Sequence, residues 1–138
     1  MARCRRGTGR APVRFISTLT HGILDYMTAP ALLLLPGLLD WDQHARTVFT
    51  AAGAGLLAYS MCTRYELGVY KALPMKAHLA LDALSGAVLV GLPLFLGEES
   101  PVNAALVGFG LFEIAAALTT QTEPPVTERA GWFFQRAA

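Results

Sequence analysis

Four long apolar blocks constrain this chain more than any other feature. They span residues 17–39, 44–63, 74–96 and 101–120, and residues 27–39 and 83–97 contain no charged side chain. At about 1.5 Å per residue, a helix of some 20 residues crosses a hydrocarbon core of about 30 Å. A soluble bundle would show charged faces between apolar stripes, whereas this chain is 54% hydrophobic and 15% charged. The sequence therefore predicts an all-α integral membrane bundle of four helices.

The distribution of basic residues predicts the orientation. Arg46 is the one basic residue on the side of the two loops that carry Asp40, Asp42, Glu98 and Glu99. The other basic residues lie in the N-terminal tail, the central loop or the C-terminal segment: Arg3, Arg5, Arg6, Arg10, Arg14, Arg64, Lys71, Lys76, Arg129 and Arg136. By the positive-inside rule, both termini are cytoplasmic and the protein is a multi-pass protein of a bacterial inner membrane. The short basic tail suits anionic lipid headgroups, and we expect no nucleic-acid partner.

The chain also repeats itself at an offset of 57 residues. The polar and proline identities are less readily produced by chance than the apolar ones, and they pair His21 with His78, Asp25 with Asp82, Pro36 with Pro93, Thr63 with Thr120 and Glu66 with Glu123. This offset predicts two tandem helical hairpins in parallel orientation. The predicted boundaries are a basic tail (1–16), repeat 1 (17–66), a cytoplasmic loop (67–73), repeat 2 (74–123) and a cytoplasmic or interfacial tail (124–138).

A His-x-x-x-Asp motif occurs near the cytoplasmic start of the first helix and again in the third. A spacing of four places the His and Asp side chains on one helical face. Counted from residues 17 and 74, the histidines lie roughly 6 Å and the aspartates roughly 12 Å into their helices. Glu113 lies roughly 10 Å from the end of the fourth helix, at a similar level. Charged groups at this depth are costly unless they face the interior and pair. We therefore expect one buried polar cluster: His21, Asp25, His78, Asp82 and Glu113.

Three interpretations of this cluster remain open on the sequence. In the first interpretation, each aspartate accepts a hydrogen bond from the histidine of its own helix, and the two pairs hold the hairpins together. Alternatively, the titratable groups form a proton or ion pathway. In the third interpretation they bind a divalent metal such as zinc, iron or manganese, with His21, Asp25, His78 and Asp82 as ligands.

A second repeated polar set lies at the cytoplasmic helix ends and comprises Thr63, Glu66, Thr120 and Glu123. We interpret these residues as helix caps and interfacial anchors. The sequence contains no Gly-rich phosphate loop, no Gly-x-Ser-x-Gly elbow, no Cys-x-x-Cys and no His-Glu-x-x-His. We therefore expect no catalytic residues and favour a protein that is not an enzyme.

The pattern resembles the SPW-repeat family, small bacterial membrane proteins built from a two-helix unit that is often duplicated and carries Ser-Pro-Trp after its first helix. The resemblance covers residues 17–123 and includes Pro36 and Pro93, while the Ser and the adjacent Trp are replaced. The resemblance implies a membrane location and a four-helix fold only, because no activity is established for such families.

These observations favour a membrane component or a subunit of a larger assembly, with membrane lipids, further copies of the chain or another membrane protein as partners. The alternative is a small transporter or channel that is linked to protons or metal ions.

Overall fold

The computed structural model describes residues 14–97 and 100–125, and within these ranges the chain is all-helical. The helices are α1 (Thr18–Leu38), α2 (Gln43–Met61), α3 (Met75–Gly91), the one-turn α4 (Pro93–Leu96) and α5 (Ser100–Thr119). No strand forms in the described part of the chain, where backbone pairing outside the helices includes two isolated bridges. The all-α prediction is confirmed. Most of the basic N-terminal tail and the aromatic segment near residue 133 lie outside the described residues.

Local signals set the helix boundaries. The Ser17 hydroxyl accepts a hydrogen bond from Thr20 N and caps α1, and the Asp42 carboxylate accepts from two backbone N–H groups at the start of α2. Pro93 lacks an N–H group, so α3 ends at Gly91 and continues after a break as α4. The left-handed backbone of Gly97 (φ 62°) then ends α4.

The helices form two hairpins, α1 with α2 and α3 with α5, each packed closely through a glycine. A Cβ on Gly53 would lie 2.9 Å from the carbonyl oxygen of Ala29, and a Cβ on Gly110 would lie 2.5 Å from that of Gly86. Small residues thus let the two helix backbones of each hairpin approach closely.

Each hairpin begins on a short segment that bonds to the end of the other hairpin. Ile16 donates to Thr119 O (3.1 Å) and accepts from Gln121 N (2.9 Å), which ties the start of α1 to the end of α5. Leu73 donates to Cys62 O (2.7 Å) and accepts from Arg64 N (2.8 Å), which ties the start of α3 to the end of α2. The N-terminal turns of α1 and α3 are thereby held beside the C-terminal turns of the opposite hairpin.

The larger of two apolar clusters lies in the half of the bundle distant from these ties. Phe49 packs there against Trp41 and Phe109, with ring centroids 5.0 Å and 6.2 Å apart, among buried leucines from both hairpins. Two stretches, Met75–Leu96 and Ser100–Thr119, are long and apolar enough to cross a membrane. The helices α1 and α2 have similar lengths but carry more polar residues, and their membrane crossing stays a prediction.

Candidate metal centre

Four side chains from α1 and α3 converge between the hairpins. They are His21 and Asp25 of α1 and His78 and Asp82 of α3, and all four residues are buried. One ligand atom from each of the four lies within 4.8 Å of the others. The His-x-x-x-Asp spacing places each pair on one helical face, and the fold turns the two faces toward each other. The structure thus brings together four of the five residues of the predicted cluster.

The shorter contacts run between the hairpins rather than along each helix. His21 Nε2 lies 2.9 Å from Asp82 Oδ2, and His78 Nε2 lies 3.1 Å from Asp25 Oδ2. The corresponding contacts within one helix are 3.5 Å in α1 and 3.3 Å in α3. The expectation that each aspartate pairs with its own histidine therefore misses the closer partner, because each imidazole reaches across the bundle.

Threonine side chains hold the opposite edge of each imidazole. Thr63 Oγ1 lies 2.8 Å from His78 Nδ1, and Thr120 Oγ1 lies 3.0 Å from His21 Nδ1. Each hydroxyl donates its only proton to a carbonyl one turn earlier in its own helix, at 2.7 Å. The Thr oxygen must then accept from Nδ1–H. Each neutral imidazole consequently presents an unprotonated Nε2 to the centre.

This role of Thr63 and Thr120 differs from the interpretation of both residues as helix caps. The two residues are fully buried, and the backbone ties at Ile16 and Leu73 bring each of them to the histidine of the other hairpin. Thr63 and Thr120 are separated by 57 residues, as His21 and His78 are. This shared offset was the sequence signal that could have revealed their role.

The two Nε2 atoms lie 3.1 Å apart, a distance that suits two ligands of one metal ion. Nitrogen ligands at about 2.0–2.1 Å from a zinc ion lie roughly 3.3 Å apart at the tetrahedral angle and roughly 3.0 Å apart at a right angle. Donating the other ring N–H to a fixed acceptor is the usual arrangement around a metal-bound histidine. The buried His/Asp group could therefore hold a metal ion.

Two side chains of α2 support the carboxylates, and the sequence analysis missed both. Tyr59 Oη donates to Asp82 Oδ1 at 2.8 Å, and Ser60 Oγ donates to Asp25 Oδ2 at 3.2 Å. They precede Thr63, which lies just beyond α2, by four and three residues, so all three lie on the same side at the C-terminal end of this helix. These bonds orient the aspartates toward the centre, as is common for carboxylates that bind metal.

The other acidic residues of the predicted sets lie outside this group of four. Glu113 is buried and accepts from Ser85 Oγ at 2.6 Å, which places it beside α3. Glu66 accepts from Thr18 Oγ1 at 2.8 Å and 2.9 Å, and its carboxylate thereby lies at the favourable N-terminal end of α1. Glu123 forms an exposed ion pair with Lys76 at 3.4 Å.

Comparison of the chain with models of known protein families, with curated proteins and with solved structures finds no match. The resemblance to the SPW-repeat family stays a prediction. The functional assignment therefore depends on the geometry of the centre itself.

Proposed function

We propose that this protein is a membrane-spanning bundle of two tandem hairpins that binds one divalent transition-metal ion between them. His21 and Asp25 would bind the ion from one hairpin, and His78 and Asp82 from the other. The observation that carries the proposal is the convergence of two imidazole Nε2 atoms with two buried carboxylates, where each imidazole donates its Nδ1–H to a threonine.

A divalent cation would balance the charge of the four proposed ligands. Two neutral imidazoles and two carboxylates carry a net charge of −2, and buried charges of one sign are costly in a low-dielectric interior. A divalent cation makes the complex electroneutral and gives each Nε2 lone pair a partner. Without such an ion, protons on both Nε2 atoms would balance the charge, and the contacts of 2.9 Å and 3.1 Å would then be hydrogen bonds to the carboxylates. Metal binding and protonation therefore compete at this centre.

The chemistry of the ligands narrows the choice of ion. Imidazole nitrogen and carboxylate oxygen suit zinc, iron and manganese, whereas sites for Cu(I) rely on thiolate or thioether sulfur. Asp82 Oδ1 accepts the hydrogen bond of Tyr59, which favours metal binding through the other oxygen, Oδ2, alone. One atom from each of four residues is the usual ligand count of a closed zinc site, so zinc is our first choice.

The exterior of the bundle supports the membrane location. On α1 the buried residues include His21, Asp25 and Thr28, while the exposed ones form an apolar stripe: Leu19, Ile23, Met27, Leu34 and Leu38. In the most apolar stretch of Met75–Leu96 only 22% of the residues are buried, unlike the core helix of a soluble protein. Polar groups inside and apolar groups outside are the arrangement expected in lipid.

The same contacts support a tandem repeat and a structural role. Residue pairs that lie 57 positions apart make equivalent bonds, as with His78 to Thr63 and His21 to Thr120. This supports an origin by duplication, in which each copy supplies half of a metal site. An ion bound by both copies would stabilise the association of the hairpins, which agrees with a non-enzymatic membrane component.

Elemental analysis combined with native mass spectrometry of the purified protein tests the proposal. We expect one zinc, iron or manganese ion per chain. Asp25→Asn and Asp82→Asn should each lose the ion, whereas Asp40→Asn, at the opposite end of the bundle, should retain it. A folded, metal-free protein that takes up none of these ions on titration would refute the metal centre. Metal flux into proteoliposomes that Asp82→Asn abolishes would favour a transporter over a structural component.

A further inference from the structure

A groove with a basic rim opens on the outside of the second hairpin. It has a volume of about 310 Å³ and lies between α3 and α5. Arg14 and Lys76 lie at its rim, and small or apolar side chains, among them Ala80, Ala83 and Leu118, line its wall. The groove is thus cationic at one end and apolar along its length.

The first hairpin has bulky side chains at two of the equivalent positions. Tyr65 precedes Thr122 by 57 residues, and Tyr26 precedes Ala83 by the same number. Tyr65 is fully buried, and its ring lies so close to Gly22 that a Cβ there would be 2.1 Å from a ring carbon. Thr122 and Ala83 are smaller than these tyrosines, whereas Leu79, which also lines the groove, is larger than its counterpart Gly22. The two hairpins therefore present different side chains at equivalent places.

The rim can bind an anion. One terminal nitrogen of Arg14 donates to the carbonyls of Ala117 and Thr120, and these two bonds use two of the five N–H groups of the guanidinium. Lys76 is 67% exposed in its ion pair with Glu123. A neighbouring cavity shares Lys76 and is also lined by Arg64 and Glu123. Three cations against one carboxylate give this end of the groove a net positive charge.

We infer that this groove binds an anionic phospholipid. Its phosphate would lie against Arg14 and Lys76, and the first part of one acyl chain would lie along Ala80, Ala83 and Leu118. Basic pockets between membrane helices recognise anionic headgroups, and guanidinium groups form strong charge-assisted hydrogen bonds with phosphate. This inference rests on the membrane location proposed above and is independent of the metal.

Native mass spectrometry of the detergent-solubilised protein tests the inference. The probe is an equimolar mixture of phosphatidylglycerol and phosphatidylcholine with identical acyl chains. We expect the phosphatidylglycerol adduct to be at least tenfold more abundant. Lys76→Gln should reduce it severalfold, while Arg46→Gln, which removes a cation at the opposite end of the bundle, should not. Ala83→Tyr, which restores the bulk present in the first hairpin, should reduce binding of both lipids.

Several results would overturn the inference. These are equal binding of both lipids, equal effects of Lys76→Gln and Arg46→Gln, or an undiminished adduct in Ala83→Tyr. Displacement of the lipid by millimolar inorganic phosphate would indicate a phosphate site instead. The same spectra report bound metal, so selective lipid binding without metal would refute only the metal centre. A chain that is soluble without detergent would refute the membrane location and the lipid site together.

Discussion

Replacement of Thr120 by valine isolates the contribution of the threonine contact to metal binding. Valine has nearly the shape of threonine but cannot accept the Nδ1–H of His21, which lies 3.0 Å from the hydroxyl oxygen. Thr119→Val is a matched control. The Thr119 hydroxyl, like that of Thr120, donates to a carbonyl of α5, at 2.7 Å. Its described hydrogen bonds are to carbonyl oxygens and not to an imidazole.

The expected loss follows from the role of such partners. Removing the hydrogen-bond acceptor of a metal-bound histidine typically weakens metal binding about 10- to 100-fold, which corresponds to roughly 1.4–2.7 kcal/mol. Thr63→Val should cause a similar loss because it acts on His78 in the same way. The double variant should bind more weakly than either single variant, with some coupling because both histidines share one ion.

Competition titration against a chromophoric zinc chelator, with the protein in detergent micelles, measures these affinities. We expect Thr119→Val to bind within about twofold of the unmodified protein, since surface changes of this kind seldom exceed about 0.5 kcal/mol. Equal affinities for Thr120→Val and Thr119→Val would refute the argument that the threonines position the imidazoles. Circular dichroism of both variants controls for loss of the fold.

Three further predictions concern packing, the carboxylates and the membrane. Gly110→Ala should lower the free energy of unfolding in SDS titrations by about 1–3 kcal/mol because its Cβ would meet backbone at 2.5 Å, whereas Gly108→Ala, with nothing within 4 Å, should be neutral or stabilising. Tyr59→Phe should weaken zinc binding roughly 2- to 12-fold through loss of its bond to Asp82, which is worth about 0.5–1.5 kcal/mol. Leu84→Lys should impair membrane insertion by about 2.5–3.5 kcal/mol in a translocon assay, since this 62% exposed residue lies in the middle of its span; normal insertion would contradict a lipid-facing position.

The helices and the pairing of His with Asp were predictable because they depend on short-range spacing. An interval of four residues places His21 above Asp25 on any α-helix, and apolar blocks of about 20 residues predict long helices. The position of Glu113 was harder to predict, since similar depth in the bundle does not determine which side chain it meets. Its carboxylate bonds to Ser85 instead of joining the four central ligands.

The sequence by itself determined four long helices, the inward-facing polar residues and the offset of 57 that relates the two halves. Only the tertiary structure decided that each imidazole contacts the carboxylate of the other hairpin and that Thr63 and Thr120 hold the rings. The physical reason is distance along the chain. Contacts within one helix follow from its 3.6-residue period, whereas His21 and Thr120 are 99 residues apart. Their meeting requires the crossed backbone ties at Ile16 and Leu73, which no local pattern encodes.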